Sequence, residues 1–198
     1  FITICAASGS GGMDVSMKKG LTLSMVFEAS SANYGEGIGN ISLLKKMSRG
    51  DGNVYSYISR QAIRYNIVQQ LGWDNTPVRD NDVVQFDPKA TIADFPEIDL
   101  FGYMKTNAKT ETESGSANTR SAVCRLSNAI SMEPYNSDLD YLNNMGLAKR
   151  GGFKNAIAQS EIHFAFYAYT IAVDLDRVGV DTDIHINREE KSRRICSL

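Results

Sequence analysis

The chain has 198 residues, 42% of them hydrophobic, enough for one domain with a real core and with room for a long insertion. Its formal net charge of −2 and pI near 5.7 exclude a uniformly basic nucleic-acid binder, so any phosphate site has to come from local stripes of charge. Cys5, Cys124 and Cys196 are too few and too far apart for a disulfide framework or a zinc site, and no apolar run reaches the ~18 residues of a membrane span. These features predict a reduced, cytoplasmic chain without a bound cofactor.

Residues 1–12, FITICAASGSGG, have too short an apolar part and no basic start for a signal peptide, and read as a linker or an added lead before a native start near Met13 or Met17. Residues 13–198 then read as one domain. Leu21, Leu23, Met25, Phe27 and Ala29 alternate with polar residues, which predicts a half-buried strand. The next segment, NYGEGIGNISLLKKMSRGDGN, is far longer than an ordinary connection and predicts a functional loop. It ends at a helix opened by Ser59, Arg60 and Gln61, with Ile63, Ile67 and Leu71 on one face and Gly72 as the stop.

A loop of small residues beside a helix N-terminus is a phosphate cradle in outline, because unpaired N–H groups and the helix dipole both favour an anion. The local charge agrees. Lys45, Lys46, Arg49, Arg60 and Arg64 face only Glu36 and Asp51 in this stretch, whereas residues 74–99 are acidic. Gly35, Gly37 and Gly39 imitate a dinucleotide fingerprint, but the third glycine comes one residue early and no Lys-Ser or Lys-Thr follows to make a P-loop.

Residues 73–120 are rich in Asp, Asn and Pro and predict a finger-like insertion rather than core, with a short strand at DLFGYM. KTNAKTETESGSANTR has almost no apolar residues and is expected to be mobile. Residues 162–175 predict a strand with Phe164 and Phe166 on one face and Tyr167 and Tyr169 on the other. Two readings stand there: a platform on which bases stack, or a strand packed on both faces. His163 reads as a satisfied structural histidine, and neither it nor His185 lies in the context of a catalytic triad. Asn187 with Glu190 predicts a capped helix whose buried stripe begins at Ile195 and Leu198.

Four blocks resemble a known family in order: FEASSANYGEGIGNISLLKKMSRGDGNVYSYISRQAIRYNIV, DLFGYM, TRSAVCRLSNAISMEPYNSDLDYLNNMGLAKR and IHFAFYAYTIAVDLDRVG. Together they resemble the Cas-seven backbone subunit of the CRISPR-associated Cascade complex, also called the DevR autoregulator family, in its type I-B form. The resemblance covers roughly residues 21–179. It implies an α+β fold: a modified RRM or ferredoxin-like palm with a finger-like insertion at about 73–120 and a β-hairpin thumb at about 136–158. It also implies a non-catalytic subunit that binds guide crRNA, stacks in a helical array with copies of itself and other Cascade subunits, and presents the guide to a target DNA strand.

By resemblance, Lys45, Lys46, Arg49, Ser59, Arg60 and Gln61 hold phosphates, with Asn33 and Asn40 as weaker candidates because Asn beside Gly is also turn chemistry. The thumb carries Met145, Leu147, Lys149, Arg150, Phe153 and Lys154; its cations suit phosphate and its apolar side chains suit wedging between bases. Two alternatives remain at this level. Relatives in type III complexes use a loop Asp for metal-dependent RNA cleavage, and Asp51 lies in the comparable loop, although Gly50-Asp51-Gly52 also suits a tight turn. The older family name suggests a DNA-binding autoregulator, but nothing reads as helix-turn-helix. A ferredoxin-like palm needs a strand after its second helix, so a C-terminal palm segment is expected either to be absent or to come from a partner.

Overall fold

The computed structural model describes residues 2–5, 19–81, 83–106, 117–155 and 157–198. Its strands in chain order are β1 (Ile2–Cys5), β2 (Gly20–Ser30), β3 (Ile41–Ser42), β4 (Lys46–Ser48), β5 (Val54–Ile58), β6 (Val78–Asn81), β7 (Val83–Phe86), β8 (Tyr103–Thr106) and β9 (Ala117–Arg120). They continue with β10 (Cys124–Leu126), β11 (Ala129–Ser131), β12 (Leu139–Asn143), β13 (Ile157–Glu161), β14 (Phe164–Asp174), β15 (Val180–Asp181) and β16 (Ile184–His185). Among the described residues four helices join them: α1 (Arg60–Gln70), α2 (Pro96–Phe101), α3 (Met145–Gly151) and α4 (Arg188–Ser197). The fold is α+β. Its main sheet runs β1-β2-β14-β11-β5-β4, with β10 also on β14, and the chain divides into two compact units.

The first unit contains Ser24–Ile63 and Ser127–Thr170. Alternate residues of β2 turn inward as the pattern predicts, and Phe27 stacks on Tyr167 with ring centroids 6.0 Å apart. Ala129, Ala165 and Tyr167 form the core here, closed by Ile58, Ile63 and Tyr169. The stretch expected as one long loop differs from expectation, since it holds β3 and β4, and the VYSYI segment after it is β5. Strands of two and three residues leave no alternation to read. They exist because β4 pairs with β5, Lys46 opposite Ser56, and β3 pairs with β13, Ile41 opposite Gln159.

The unit also carries an antiparallel ribbon, β12 against β13, in register from Leu139↔Glu161 to Asn143↔Ile157. Its tip is the short helix α3, ended by Gly152 in the left-handed conformation, whose N–H donates to Ala148 O. That φ of +67° is why a glycine stands there.

The second unit contains Arg64–Leu126 and Ile171–Leu198. Residues 73–120, expected as a finger-like insertion, contribute a core that their composition does not suggest: Ile92 and Ile98 are buried with Ala90, against Phe86, Phe95, Tyr103 and Ile184. At the centre Asp99 is fully buried. Arg120 Nη2 donates to its Oδ1 at 2.7 Å and Arg194 Nη1 to its Oδ2 at 2.9 Å, and the Gly179 N–H reaches both oxygens at 3.0 Å. The guanidinium donors left over reach the carbonyls of Arg177, Val180, Ile92 and Ala93.

α4 is capped as predicted, Asn187 Oδ1 accepting from Glu190 N at 2.8 Å. Its deeply buried residue, however, is Arg194 rather than Ile195 or Leu198. Residues 107–116 of the segment expected to be mobile lie outside the described residues, and its end is β9, paired with β8 from Tyr103↔Arg120 onward.

Candidate nucleic-acid interface

The sequence places its candidate phosphate ligands at the start of α1 and in the segment before it, all within the first unit. The segment is pinned along its length. Lys45 N donates to Asn33 O at 2.9 Å, Gly35 N to Leu43 O at 2.7 Å, and Gln159 N to Asn40 O at 2.9 Å.

The helix mouth is arranged differently from an open cradle. Asn33 Oδ1 accepts from Ser59 N at 3.4 Å, Asn128 Oδ1 from Arg60 N at 2.8 Å, and Ser59 Oγ from Ala62 N at 3.3 Å. Ser59 is buried and acts as the helix cap, a role worth about 1 kcal/mol by Ser→Ala replacement. What the mouth presents outward is the exposed side chains of Arg60 and Gln61.

The two lysines of the loop part company. Lys46 Nζ sits 2.5 Å from Glu161 Oε1 and 4.6 Å from the centroid of the Tyr135 ring; Glu161 is buried and also accepts from Leu44 N at 2.7 Å. Lys46 is thus engaged in holding β4 to β13. Lys45, just before β4, is half-buried. Among the described residues, Lys45, Arg49 and Arg60 have no ion-pair partner. These three, rather than Lys46, are the cations free to meet an anion.

Glu161 gives this region an acid limit. Burial alone would raise its carboxyl, but hydrogen bonds from the Lys46 ammonium and the Leu44 N–H, with the lysine charge, hold it below the usual glutamate range. A carboxyl depressed in the folded state stabilises the fold above its unfolded pKa, and that contribution fades as pH falls through the folded value. Glu161→Gln is therefore expected to cost about 2 kcal/mol at pH 7. Melting curves should show the gap to wild type closing below about pH 4.

Arg49 is exposed, with its guanidinium 5.2 Å from the centroid of the Tyr55 ring. The Tyr55 hydroxyl donates to Asp51 Oδ2 at 2.5 Å, and Asp51 Oδ1 accepts from Asn53 N at 3.0 Å. Those two hydrogen bonds hold the Asp51 carboxyl below the usual range. Both oxygens of Asp51 thus serve the β4–β5 turn, and no group of three or more His, Cys, Asp or Glu able to hold a metal occurs among the described residues.

On β14 the two readings of the aromatic strand separate. Tyr167 is buried in the core, whereas Phe164 and Phe166 are 68% and 47% exposed, so the start of the strand is packed on one face and not on both. His163 Nδ1 and the Tyr167 hydroxyl each lie 2.7 Å from Ser56 Oγ, and the Tyr135 ring meets the imidazole edge-on at 5.4 Å. This is the satisfied structural histidine the sequence suggested.

The ribbon of Leu139–Asn143 on Ile157–Glu161 overlaps the segment expected at about 136–158, and α3 at its tip is an addition that glycine spacing does not reveal. Met145, Leu147 and Phe153 are all more than half exposed, and Lys149, Arg150 and Lys154 are exposed beside them. Sequence reading missed Asn128 and Glu161, which act on Arg60 and Lys46 from 68 and 115 residues away. No local pattern marks such partners. Tyr55, four residues after Asp51 across a hairpin turn, could have been found from that spacing.

Comparison with known proteins adds three findings. The family model described as "CRISPR-associated negative auto-regulator DevR/Csa2" matches residues 21–198. A Myxococcus xanthus (strain DK1622) protein described as "CRISPR-associated protein Cas7/Cst2/DevR" is 27% identical over 165 residues, spanning 75% of this chain and 54% of that protein. A solved structure described as "CRISPR RNA-guided surveillance complex" superposes with a TM-score of 0.55 at 12% identity, over 90% of this chain and 58% of the solved one; that likeness concerns the fold. The chain thus spans little more than half the length of either relative.

Proposed function

Because the chain belongs to the CRISPR-associated DevR/Csa2 family, we propose that it is a guide-RNA-binding backbone subunit of a Cascade-type complex. In this reading the first unit is the RRM-like palm and the β12–β13 ribbon its thumb. Lys45, Arg49, Arg60 and Gln61 lie along the crRNA backbone, and copies of the protein follow one another on the guide, together with other Cascade subunits. The guide is then paired with target DNA, and base pairing rather than the protein supplies sequence specificity. The observation that carries the reading is a protruding ribbon with an apolar and cationic tip, in the same unit as three cations without acidic partners. Local positive charge of this kind attracts a phosphate backbone despite the acidic total. No helix among the described residues is long and apolar enough to cross a membrane. We place the protein in the cytoplasm with its RNA.

The test is the nucleic acid that co-purifies with the expressed protein. Discrete small RNAs sharing a repeat-derived end are the expected result. Double-stranded DNA in their place would support the autoregulator reading and contradict this one.

The same proposal makes the subunit non-catalytic. Cleavage of a phosphodiester needs charge neutralisation and an oriented nucleophile, and Asp51 has both oxygens engaged by Tyr55 and Asn53. Complementary RNA incubated with assembled complex and Mg²⁺ is expected to stay as intact with Asp51→Ala as with wild type. Regular cuts by wild type that vanish in the variant would show a ribonuclease.

A further inference from the structure

Within the second unit, the β6–β7 and β8–β9 hairpins border a cleft of about 460 Å³, inside the range of about 300–1,000 Å³ that small-ligand sites occupy. The β6–β7 hairpin supplies Val78, Val84 and Phe86 to its wall, β8 supplies Met104, and the end of α2 supplies Phe101. Val78, Val84 and Met104 are 60%, 68% and 62% exposed, so apolar side chains from two separate hairpins stand in water around one hollow. The frame of the cleft is fixed. Gln85 Oε1 accepts from Thr106 N and from Thr106 Oγ1, both at 2.9 Å, which clasps β7 to β8. Gly102, at a φ of +76°, turns the chain from α2 into β8 where a Cβ would collide with the Arg120 carbonyl.

The charge of the cleft is opposite to that of its sequence neighbourhood. Its charged lining residues are two arginines and no carboxylate, although residues 74–99, which supply part of the wall, are acidic. The two arginines play different parts. Arg120, its side chain 3% exposed, has its donors committed to Asp99, Arg177 and Val180. Arg64 is 37% exposed and meets Glu97 through Nη2 at 3.3 Å, with its guanidinium carbon 5.2 Å from the centroid of the Phe101 ring. A guanidinium laid on a ring and tied through one nitrogen keeps the rest of its planar fork for an incoming anion.

We infer that this cleft binds a small amphipathic monoanion, a flat aromatic or aliphatic body seated among Val78, Val84, Phe86 and Met104 with a single carboxylate or sulfonate on Arg64. The body matches the apolar wall, and the one charge matches the one uncommitted cation. A phosphate dianion fits worse, because Asp80 stands opposite Val84 in the hairpin register and like charges brought together oppose binding. A neutral body fits worse too, since it would cover Arg64 without replacing the water on its fork. All the lining residues belong to the second unit, so the site is separate from the candidate RNA interface and does not depend on RNA binding.

The experiment is a fluorescence titration of the whole chain with two probes. Anilinonaphthalene sulfonate is a flat monoanion of the proposed class, and phenylnaphthylamine has the same apolar body without the charge. Wild type is expected to bind the sulfonate roughly tenfold more tightly than the amine, the scale of a charge-assisted hydrogen bond. Arg64→Leu should abolish that difference. Met104→Glu, at an exposed position, adds a carboxylate to the rim and should weaken the sulfonate by a similar factor while the melting curve stays that of wild type. Naphthoate should displace the sulfonate at lower concentration than naphthyl phosphate or AMP.

A wild type that binds neither probe, or binds both equally, overturns the inference. Sulfonate binding that survives both Met104→Glu and a folded Arg64→Leu lies elsewhere on the surface and overturns it as well; should Arg64→Leu fail to fold, Met104→Glu alone decides. AMP displacing the sulfonate more readily than naphthoate does would make this a nucleotide site and contradict the monoanion assignment.

Discussion

Asp99→Ala is expected to lower stability more than any other single substitution, by about 3–5 kcal/mol. The reason is what it leaves behind. Asp99 lies between Arg120 and Arg194, whose side chains are 3% and 1% exposed. Without the carboxylate, two buried guanidinium groups would face each other across the site, with only carbonyls and the more exposed Glu190 and Asp181 near them. Breaking a buried pair costs far more than the intact pair contributes, because the uncompensated charge remains out of water. For a chain of this size, the melting temperature should fall on the order of 10 °C.

Arg193→Ala is the control. Its side chain is two-thirds exposed and meets only Glu190, and an exposed pair of that kind is worth ~1 kcal/mol or less. A thermal melt in which the two variants are equally destabilised would show that Asp99 is not the keystone of the second unit.

The second large effect concerns assembly, with stability unchanged. Replacing residues 145–154 by a short Gly/Ser linker is expected to leave melting within ~0.5 kcal/mol of wild type, because Met145, Leu147 and Phe153 are more than half exposed and α3 has no buried residue. On guide RNA the same variant should form no ordered array. The tip is the part of the ribbon farthest from the core, and no other described element offers such an apolar surface ringed by cations. Negative-stain images of the complex, with a melt of the free protein, check both halves. Normal filaments from a folded deletion would show that this ribbon is not the thumb.

The legible parts of this fold are those whose cause is local. The alternation from Leu21 to Ala29 marks β2 because each inward residue meets the same core, and the spacing of Ile63, Ile67 and Leu71 with Gly72 marks α1 and its end. Asn187 marks the start of α4 because its cap acceptor reaches only three residues ahead. The illegible parts have distant causes. β3 and β4 are strands because β13 and β5 pair with them, and Lys46 is an ion-pair residue because Glu161 folds back from far down the chain.

The same holds for the second unit. Its composition, rich in Asp and Asn, resembles a solvated loop, yet Asp99 is buried because two arginines, one of them from α4, come to meet it. Charge in a sequence reports surface only on average, and a buried network is the exception that no window of residues displays. At the candidate interface, the sequence displays a basic segment leading into a helix, and the structure has α1 there. Sequence alone could not tell Lys45 from its neighbour, nor foresee that Asn33, Asn128 and Ser59 occupy the N–H groups of the helix mouth.

The central claim is that the first unit holds an RNA backbone through Lys45, Arg49 and Arg60. Filter binding of wild type and the Lys45→Ala, Arg49→Ala, Arg60→Ala triple variant to two single-stranded RNAs of unrelated sequence, across a salt series, tests it most directly. Phosphate contacts carry no sequence information, so both RNAs should lose affinity equally. The slope of log affinity against log salt should become shallower by about 2, since each phosphate contact contributes about 0.7 for a single strand. A triple variant with wild-type affinity and an unchanged slope would contradict the claim.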